Sequence, residues 1–119
     1  MLILVTGGAA SGKSEHAERL LCEKAQSRLY LATMQPFGKS AEARIARHRA
    51  LRAGKGFATV ERTLDLANLR LSQQYDGILL EDLGNLLANE LFAPDGAGAG
   101  SAFDSIVAGV DNLQKYCET

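Results

Sequence analysis

The sequence predicts one α/β domain in which helices flank a mainly parallel sheet. Two observations lead to this fold class. Short apolar runs alternate with longer amphipathic segments along the chain, which is the usual order of strands and helices around a parallel sheet. The chain has 119 residues, of which 46% are hydrophobic, and this suits a single folded core over residues 1–119 rather than a disordered chain.

Four apolar runs predict the strands. They are residues 2–6 (LILVT), 28–33 (RLYLAT), 57–61 (FATVE) and 77–81 (GILLE). The first and last runs are continuously apolar, which is typical of strands buried on both faces. The N-terminal run is too short for a signal peptide or a membrane span, and Cys22 and Cys117 form no CxxC pair. Reduced thiols and a cytoplasmic location are therefore expected.

Five segments predict the helices. They are residues 14–25, 41–53, 63–74, 85–92 and 101–116. Ser40 can cap the second helix, and Gly54 and Gly56 follow its end. The third segment, TLDLANLRLSQQ, has apolar residues at helical spacing. The glycine-rich stretch before Ser101 is interpreted as a connection within the domain.

The segment GGAASGKS, residues 7–14, fits the phosphate-loop pattern G-x-x-x-x-G-K-S between a predicted strand and a predicted helix. Glycines let backbone N–H groups approach phosphate oxygens, and the following helix adds its positive end. Lys13 would reach the β- and γ-phosphates, and Ser14 would bind Mg²⁺. The pattern therefore predicts a nucleoside triphosphate as ligand. The predicted contacts are Gly7, Gly8, Ala9, Ala10, Ser11, Gly12, Lys13 and Ser14.

The fourth predicted strand ends in Glu81, and Asp82 follows it. Proteins with a phosphate loop place an acid at the end of such a strand, near Mg²⁺. Either carboxylate could serve in this way. The alternative is that both acids favour the start of the next helix through its dipole. The residues alone leave this choice open.

The second predicted helix contains EARIARHRALR, residues 42–52. Residues 39–55 hold six of the 13 basic residues, although the net charge of −1 gives no reason to expect nucleic-acid binding. Arg44, His48 and Arg52 are spaced four residues apart and share one helix face. Arginines there would hold phosphate oxygens and disfavour protonation of the histidine, which leaves it nucleophilic. The alternative, from spacing alone, is a solvated basic face with an incidental histidine.

Several stretches together resemble one enzyme family. The stretches ILVTGGAASGKS, LYLAT, EARIARHRALR, FATVE and ILLEDLGNLLANELF, within residues 1–92, are similar to the bifunctional adenosylcobinamide kinase / adenosylcobinamide-phosphate guanylyltransferases of cobalamin biosynthesis. The phosphate loop is generic, whereas its combination with RIxxHxxxR is specific. The resemblance implies a P-loop NTPase-like fold and two reactions. Adenosylcobinamide is phosphorylated with ATP or GTP, and GMP then passes from GTP to adenosylcobinamide phosphate through a GMP–histidine intermediate.

The resemblance also implies site residues and partners. The histidine of the family's helix motif falls on His48, which would be catalytic together with Lys13. Mg²⁺ is the expected cofactor, held by Ser14 and Glu81, directly or through water. Homo-oligomers are expected, without nucleic-acid or membrane partners. Beyond the loop, the implied nucleotide contacts are Ala32, Thr33, Met34, Arg49, Ala50, Leu51, Arg52, Glu61 and Glu81.

The sequence departs from the family pattern at three points. Ala10 stands where relatives commonly have arginine, and Arg47 stands where some relatives have a second histidine. The C-terminal third of the family is expected to be absent. Two alternative functions remain open. One is a different small-metabolite P-loop kinase, which needs no histidine nucleophile, and the other is a non-catalytic nucleotide-binding or oligomerisation fragment.

Overall fold

A three-stranded parallel sheet forms the centre of the domain. The computed structural model describes residues 2–8, 11–34 and 38–117, but not the side chains of residues 38–41, 44, 48 and 51. The strands are β1 (Arg28–Ala32), β2 (Phe57–Glu61) and β3 (Gly77–Glu81), in the order β2-β1-β3. The helices are α1 (Lys13–Lys24), α2 (Gly38–Gly54), α3 (Leu83–Phe92) and α4 (Ala102–Lys115). The predicted α/β class is therefore confirmed.

The strand register brings two acids to one edge of the sheet. Ala32 at the end of β1 lies between Glu61 at the end of β2 and Glu81 at the end of β3. All three strands run in the same direction, so their carboxyl ends coincide. Ligands of open parallel sheets bind outside these ends. The register therefore positions a candidate site there.

The hydrophobic core lies on one face of this sheet. Side chains alternate along a strand, so Leu31 packs in the core while Tyr30 lies on the opposite face. Val60 and Leu80, the neighbours of Leu31 in the register, pack against the same core. The buried members of the core are Leu31, Leu66, Leu69, Leu86 and Leu113.

The helix predicted over residues 63–74 is wrong. Only a 3-10 turn forms there, at Leu66–Asn68. Asn112 on α4 donates hydrogen bonds of 2.8 Å to the carbonyl groups of Leu66 and Leu69. These contacts satisfy backbone carbonyls that a helix would otherwise use, and they bury both leucines against α4. Tertiary contacts thus override the helical spacing of the apolar residues.

The strand predicted over residues 2–6 is also wrong, because residues 2–8 have no regular secondary structure. Apolar composition gives a strand only where a neighbour supplies ladder hydrogen bonds. In the sheet formed by the described residues, this segment pairs with no strand. Leu2 and Leu4 are 67% and 73% exposed, and Leu2, Ile3 and Val5 line a groove beside α1 and β3.

The other predicted strands and helices are confirmed, with ends that differ by a few residues at most. None of the helices within residues 11–34 and 38–117 is both long and apolar enough to cross a membrane.

Gly109 on α4 is required by the close approach of the 3-10 turn. A Cβ atom at this position would lie 2.7 Å from the Cβ of Leu66, which its own backbone holds in place. We expect Gly109→Ala to lower the free energy of unfolding by about 1–2 kcal/mol, because overpacking outweighs the gain in helix propensity. Urea denaturation measures the change. Gly100→Ala is the control, since its Cβ would meet no atom within 4 Å. Equal losses in the two variants would contradict this packing.

Candidate functional site

A cavity of about 340 Å³ opens at the carboxyl ends of the strands, between the sheet and α2. Six of the predicted nucleotide contacts line it: Ala32, Met34, Arg49, Arg52, Glu61 and Glu81. Six further lining residues were not predicted as contacts: Tyr30, Glu42, Ile45, Ala46, Asp82 and Asn85. The cavity therefore combines two cations with several carboxylates.

Glu81 connects this cavity to the beginning of α1. The Ser14 hydroxyl donates a hydrogen bond to Glu81 Oε1. The Tyr30 hydroxyl donates to the other carboxylate oxygen, Oε2, at 2.5 Å. Burial, and then this hydrogen bond, raise the pKa of Tyr30 well above its ordinary value. The phenol therefore remains protonated, and it remains a donor, at neutral pH.

Asp82 has a different role from Glu81. Its Oδ1 accepts a 2.7 Å hydrogen bond from the backbone N–H of Asn85 and caps α3. The Thr33 hydroxyl donates to the Asp82 carbonyl at 2.8 Å and accepts from its N–H at 2.9 Å. The Thr33 side chain has no exposed surface. Its two hydrogen bonds to Asp82 connect the segments that follow β1 and β3 behind the cavity. Of the two acids left open by the sequence, Glu81 contacts Ser14 and Asp82 begins a helix.

The two described cavity arginines lie in different environments. Arg49 forms an ion pair with Glu61, and both side chains are about half exposed, so the pair contributes little to stability. Arg52 is 94% buried, as its 6% exposure implies. Its guanidinium carbon lies 3.5 Å from the centroid of the Tyr30 ring, and its Nε has no hydrogen-bond partner within the described structure.

The glycine-rich loop, residues 7–14, ends at the first turn of α1. Gly12 has a φ of 83°, a left-handed conformation that glycine adopts without strain. The Lys13 ammonium donates a long hydrogen bond of 3.4 Å to the carbonyl of Gly8. The N–H of Ser11 also bonds to this carbonyl, at 3.3 Å. Both contacts converge on the Gly8 carbonyl, and among the described residues the 3.4 Å contact is the one hydrogen bond of the Lys13 ammonium.

Several predicted site residues do not line the cavity or cannot be placed. Ala9 and Ala10 lie outside the described residues, as do the side chains of His48 and Leu51 on α2. Ala50 is exposed on α2 and is not part of the cavity lining. Within the part of the chain that the structure describes, no group of three or more His, Cys, Asp or Glu side chains is arranged to hold a metal ion.

Tyr30 and part of α2 were missed by sequence reasoning, although a signal for both exists. Tyr30 lies two residues before Ala32 on β1, so strand alternation puts both on the cavity face. On α2, residues 42, 45, 49 and 52 follow helical steps of three and four, and all four line the cavity. Of the predicted stripe of residues 44, 48 and 52, Arg52 lines the cavity, and the side chains of the other two lie outside the described part of the structure.

The fold and the site define a small α/β protein with a ligand cavity of mixed charge at the carboxyl ends of parallel strands. The family model for cobinamide kinase / cobinamide phosphate guanyltransferase matches residues 3–118, and the chain belongs to this family. The resemblance predicted from the sequence is thereby confirmed. The matched span includes α4 as well as the strands and the loop.

Three curated relatives show the extent of the similarity. The bifunctional adenosylcobalamin biosynthesis protein CobU of Escherichia coli (strain K12) is 43% identical over 94 residues, which are 77% of this chain and 51% of the relative. The protein of the same name from Salmonella typhimurium is 43% identical over 98 residues, 81% of this chain and 53% of the relative. The Pseudomonas aeruginosa protein CobP is 39% identical over 94 residues, 77% and 54% of the two chains.

The chain spans about half the length of the curated relatives it matches. No solved structure matches it with statistical significance.

Proposed function

We propose that this protein acts in cobalamin biosynthesis and catalyses two transfers. It phosphorylates adenosylcobinamide with ATP or GTP, and it transfers GMP from GTP to adenosylcobinamide phosphate. Family membership supports the reaction class. The observation that carries the proposal is the contact of Glu81 with Ser14, because it joins a nucleotide-type loop to a cavity lined by arginines. A P-loop NTPase-like arrangement accounts for this contact.

For the first transfer, the phosphorylation of adenosylcobinamide, the chain binds the triphosphate through the glycine-rich loop. Within the described part of the loop, the Lys13 ammonium makes a long 3.4 Å hydrogen bond to the Gly8 carbonyl, which a phosphate oxygen readily replaces. Ser14 and Glu81 bring a hydroxyl and a carboxylate oxygen together, and these are the hard donors that Mg²⁺ prefers. The residues therefore fit a Mg²⁺ ion that also keeps water and phosphate ligands. Such an ion supplies charge neutralisation at the phosphates.

For the second transfer, that of GMP from GTP to adenosylcobinamide phosphate, His48 is the nucleophile. A ring nitrogen attacks the α-phosphorus of GTP, so an N–P bond forms and the P–O bond to pyrophosphate breaks. A phosphate oxygen of adenosylcobinamide phosphate then attacks the same phosphorus, and the N–P bond breaks. Arg52 lies one helical turn after His48, and Arg49 lies next to it on α2. Both guanidinium groups line the cavity and can offset the charge that develops on the phosphoryl oxygens.

The acids of the cavity suit the remainder of the nucleotide. Glu61 is about half exposed at the end of β2, where its carboxylate faces Arg49. A carboxylate there accepts hydrogen bonds from the N–H groups of a base or the hydroxyls of a ribose. The cavity volume of about 340 Å³ falls within the usual range of small-molecule sites.

We also infer a homo-oligomer that acts in the cytoplasm without nucleic-acid or membrane partners. Exposed apolar side chains on α3 and α4 support a contact between copies. Leu83 and Leu87 are 41% and 43% exposed, and Phe103 and Val107 are 76% and 44% exposed. Each pair is spaced four residues apart on its helix, so each forms one apolar face.

Product analysis tests the proposed function. The protein is incubated with Mg²⁺, GTP and adenosylcobinamide, and the corrinoid products are separated. We expect adenosylcobinamide phosphate first and adenosylcobinamide-GDP afterwards. The phosphate alone would indicate a plain kinase and refute the second step. Neither product, together with a GTP-dependent rise in melting temperature, would leave a non-catalytic nucleotide-binding protein.

A further inference from the structure

Tyr30 lies where the two halves of the candidate site meet. Its side chain is on β1, is only 7% exposed, and lines the cavity. The hydroxyl bonds to Glu81, and the ring lies beneath the guanidinium of Arg52. The edge of the ring contacts Phe57, with ring centroids 6.3 Å apart and an interplanar angle of 87°. The tyrosine is therefore fixed on several sides and has no freedom to act as a mobile group.

Arg52 depends on this ring more than an ordinary arginine would. It is 94% buried, it forms no ion pair among residues 11–34 and 38–117, and its Nε has no described partner. A buried guanidinium requires compensation for the water it has lost. The π face of Tyr30, 3.5 Å from the guanidinium carbon, supplies part of it. The Nε–H, which has no partner among the described residues, can therefore donate a hydrogen bond to a further anionic group.

We propose that Tyr30 is a positioning residue. Its hydroxyl holds Glu81 and its ring holds Arg52, and the tyrosine thereby fixes the positions of these two groups relative to each other. This inference rests on the proposed function. Glu81 contacts Ser14 at the triphosphate loop, and Arg52 lies one helical turn after His48. The Tyr30 side chain thus orients Glu81 for the first transfer and Arg52 for the second.

Substitutions can separate the role of the Tyr30 hydroxyl from that of its ring. Tyr30→Phe removes the hydrogen bond to Glu81 and keeps the ring beneath Arg52. Tyr30→Leu removes both contacts. Tyr75→Phe deletes a hydroxyl from a tyrosine that does not line the cavity, and it is the matched control. Melting temperatures identify any loss of folding in each variant.

For Tyr30→Phe, we expect kcat of the phosphorylation step to fall about tenfold because Glu81 loses its orientation, while KM for GTP stays within about twofold. For Tyr30→Leu, we expect the affinity for GTP with Mg²⁺, measured by calorimetry, to fall about tenfold as well, because Arg52 loses its support. Tyr75→Phe should match the wild type in both measurements. Tyr30→Phe should therefore keep the wild-type affinity for GTP that Tyr30→Leu loses, whereas kcat should be reduced in both variants.

An unchanged kcat in Tyr30→Phe, or equal GTP affinities in the wild type and Tyr30→Leu, would overturn the proposal. If the wild type binds GTP but forms no product, the proposed function fails, and the affinity comparison alone then decides the role of Tyr30. A wild type that neither binds GTP nor forms product would refute both.

Discussion

Lys13→Ala is expected to abolish nearly all phosphorylation of adenosylcobinamide, by a factor of about 10²–10³ in kcat. The same variant should lose most of the GTP-dependent rise in melting temperature. Lys13 is the first residue of α1, and its ammonium group contacts the carbonyl of Gly8 within the glycine-rich loop. A triphosphate in this loop would place its charge beside that cation, and alanine leaves the charge uncompensated. The rate of adenosylcobinamide phosphate formation measures the effect.

Lys24→Ala is the matched control, because Lys24 is an exposed cation in the last turn of the same helix and lies away from the cavity. It should retain wild-type rates and the wild-type response to GTP. If Lys13→Ala bound GTP and turned over as well as Lys24→Ala does, the loop would not be the triphosphate site.

His48→Ala is expected to separate the two reactions. Formation of adenosylcobinamide-GDP should fall by roughly 10⁴-fold or more, because the variant lacks the proposed nucleophile for GMP. Formation of adenosylcobinamide phosphate should continue, since the proposed first transfer needs no histidine between the triphosphate and the acceptor hydroxyl. The two products are quantified in the same reaction mixture.

His16→Ala is the control for this substitution. His16 is the other histidine of the chain and is exposed on α1. It should form both products at wild-type rates. A His48→Ala protein that still produced adenosylcobinamide-GDP would exclude His48 as the GMP carrier.

Local sequence patterns were sufficient for most of the fold. The strands β1, β2 and β3 occupy nearly their predicted positions, because each is a short apolar run bounded by turn residues. The segment 63–74 has an equally clear helical pattern, yet it forms only a 3-10 turn. The cause is Asn112, which is distant in sequence and bonds to the carbonyls of this segment. Such long-range satisfaction of backbone groups cannot be predicted from spacing within the segment.

The candidate site was predictable where it depends on strand ends and motifs. Glu61 and Glu81 end strands that pair with β1, so both meet Ala32 at the cavity. The distinction between Glu81 and Asp82 depends on side-chain direction, which the strand pattern did not resolve. The importance of Tyr30 was not apparent either, because it arises from three partners on three different elements. Its strand position alone indicates a cavity-facing residue but no role.

The GMP–histidine intermediate is the central claim, and direct trapping tests it. The protein is incubated with Mg²⁺ and GTP labelled at the α-phosphate, and the denatured protein is analysed for label that is labile in acid and stable in base. We expect this label in the wild type and in His16→Ala, and none in His48→Ala. Label that persists in His48→Ala, or an unlabelled wild type whose melting temperature rises with GTP, would contradict the account.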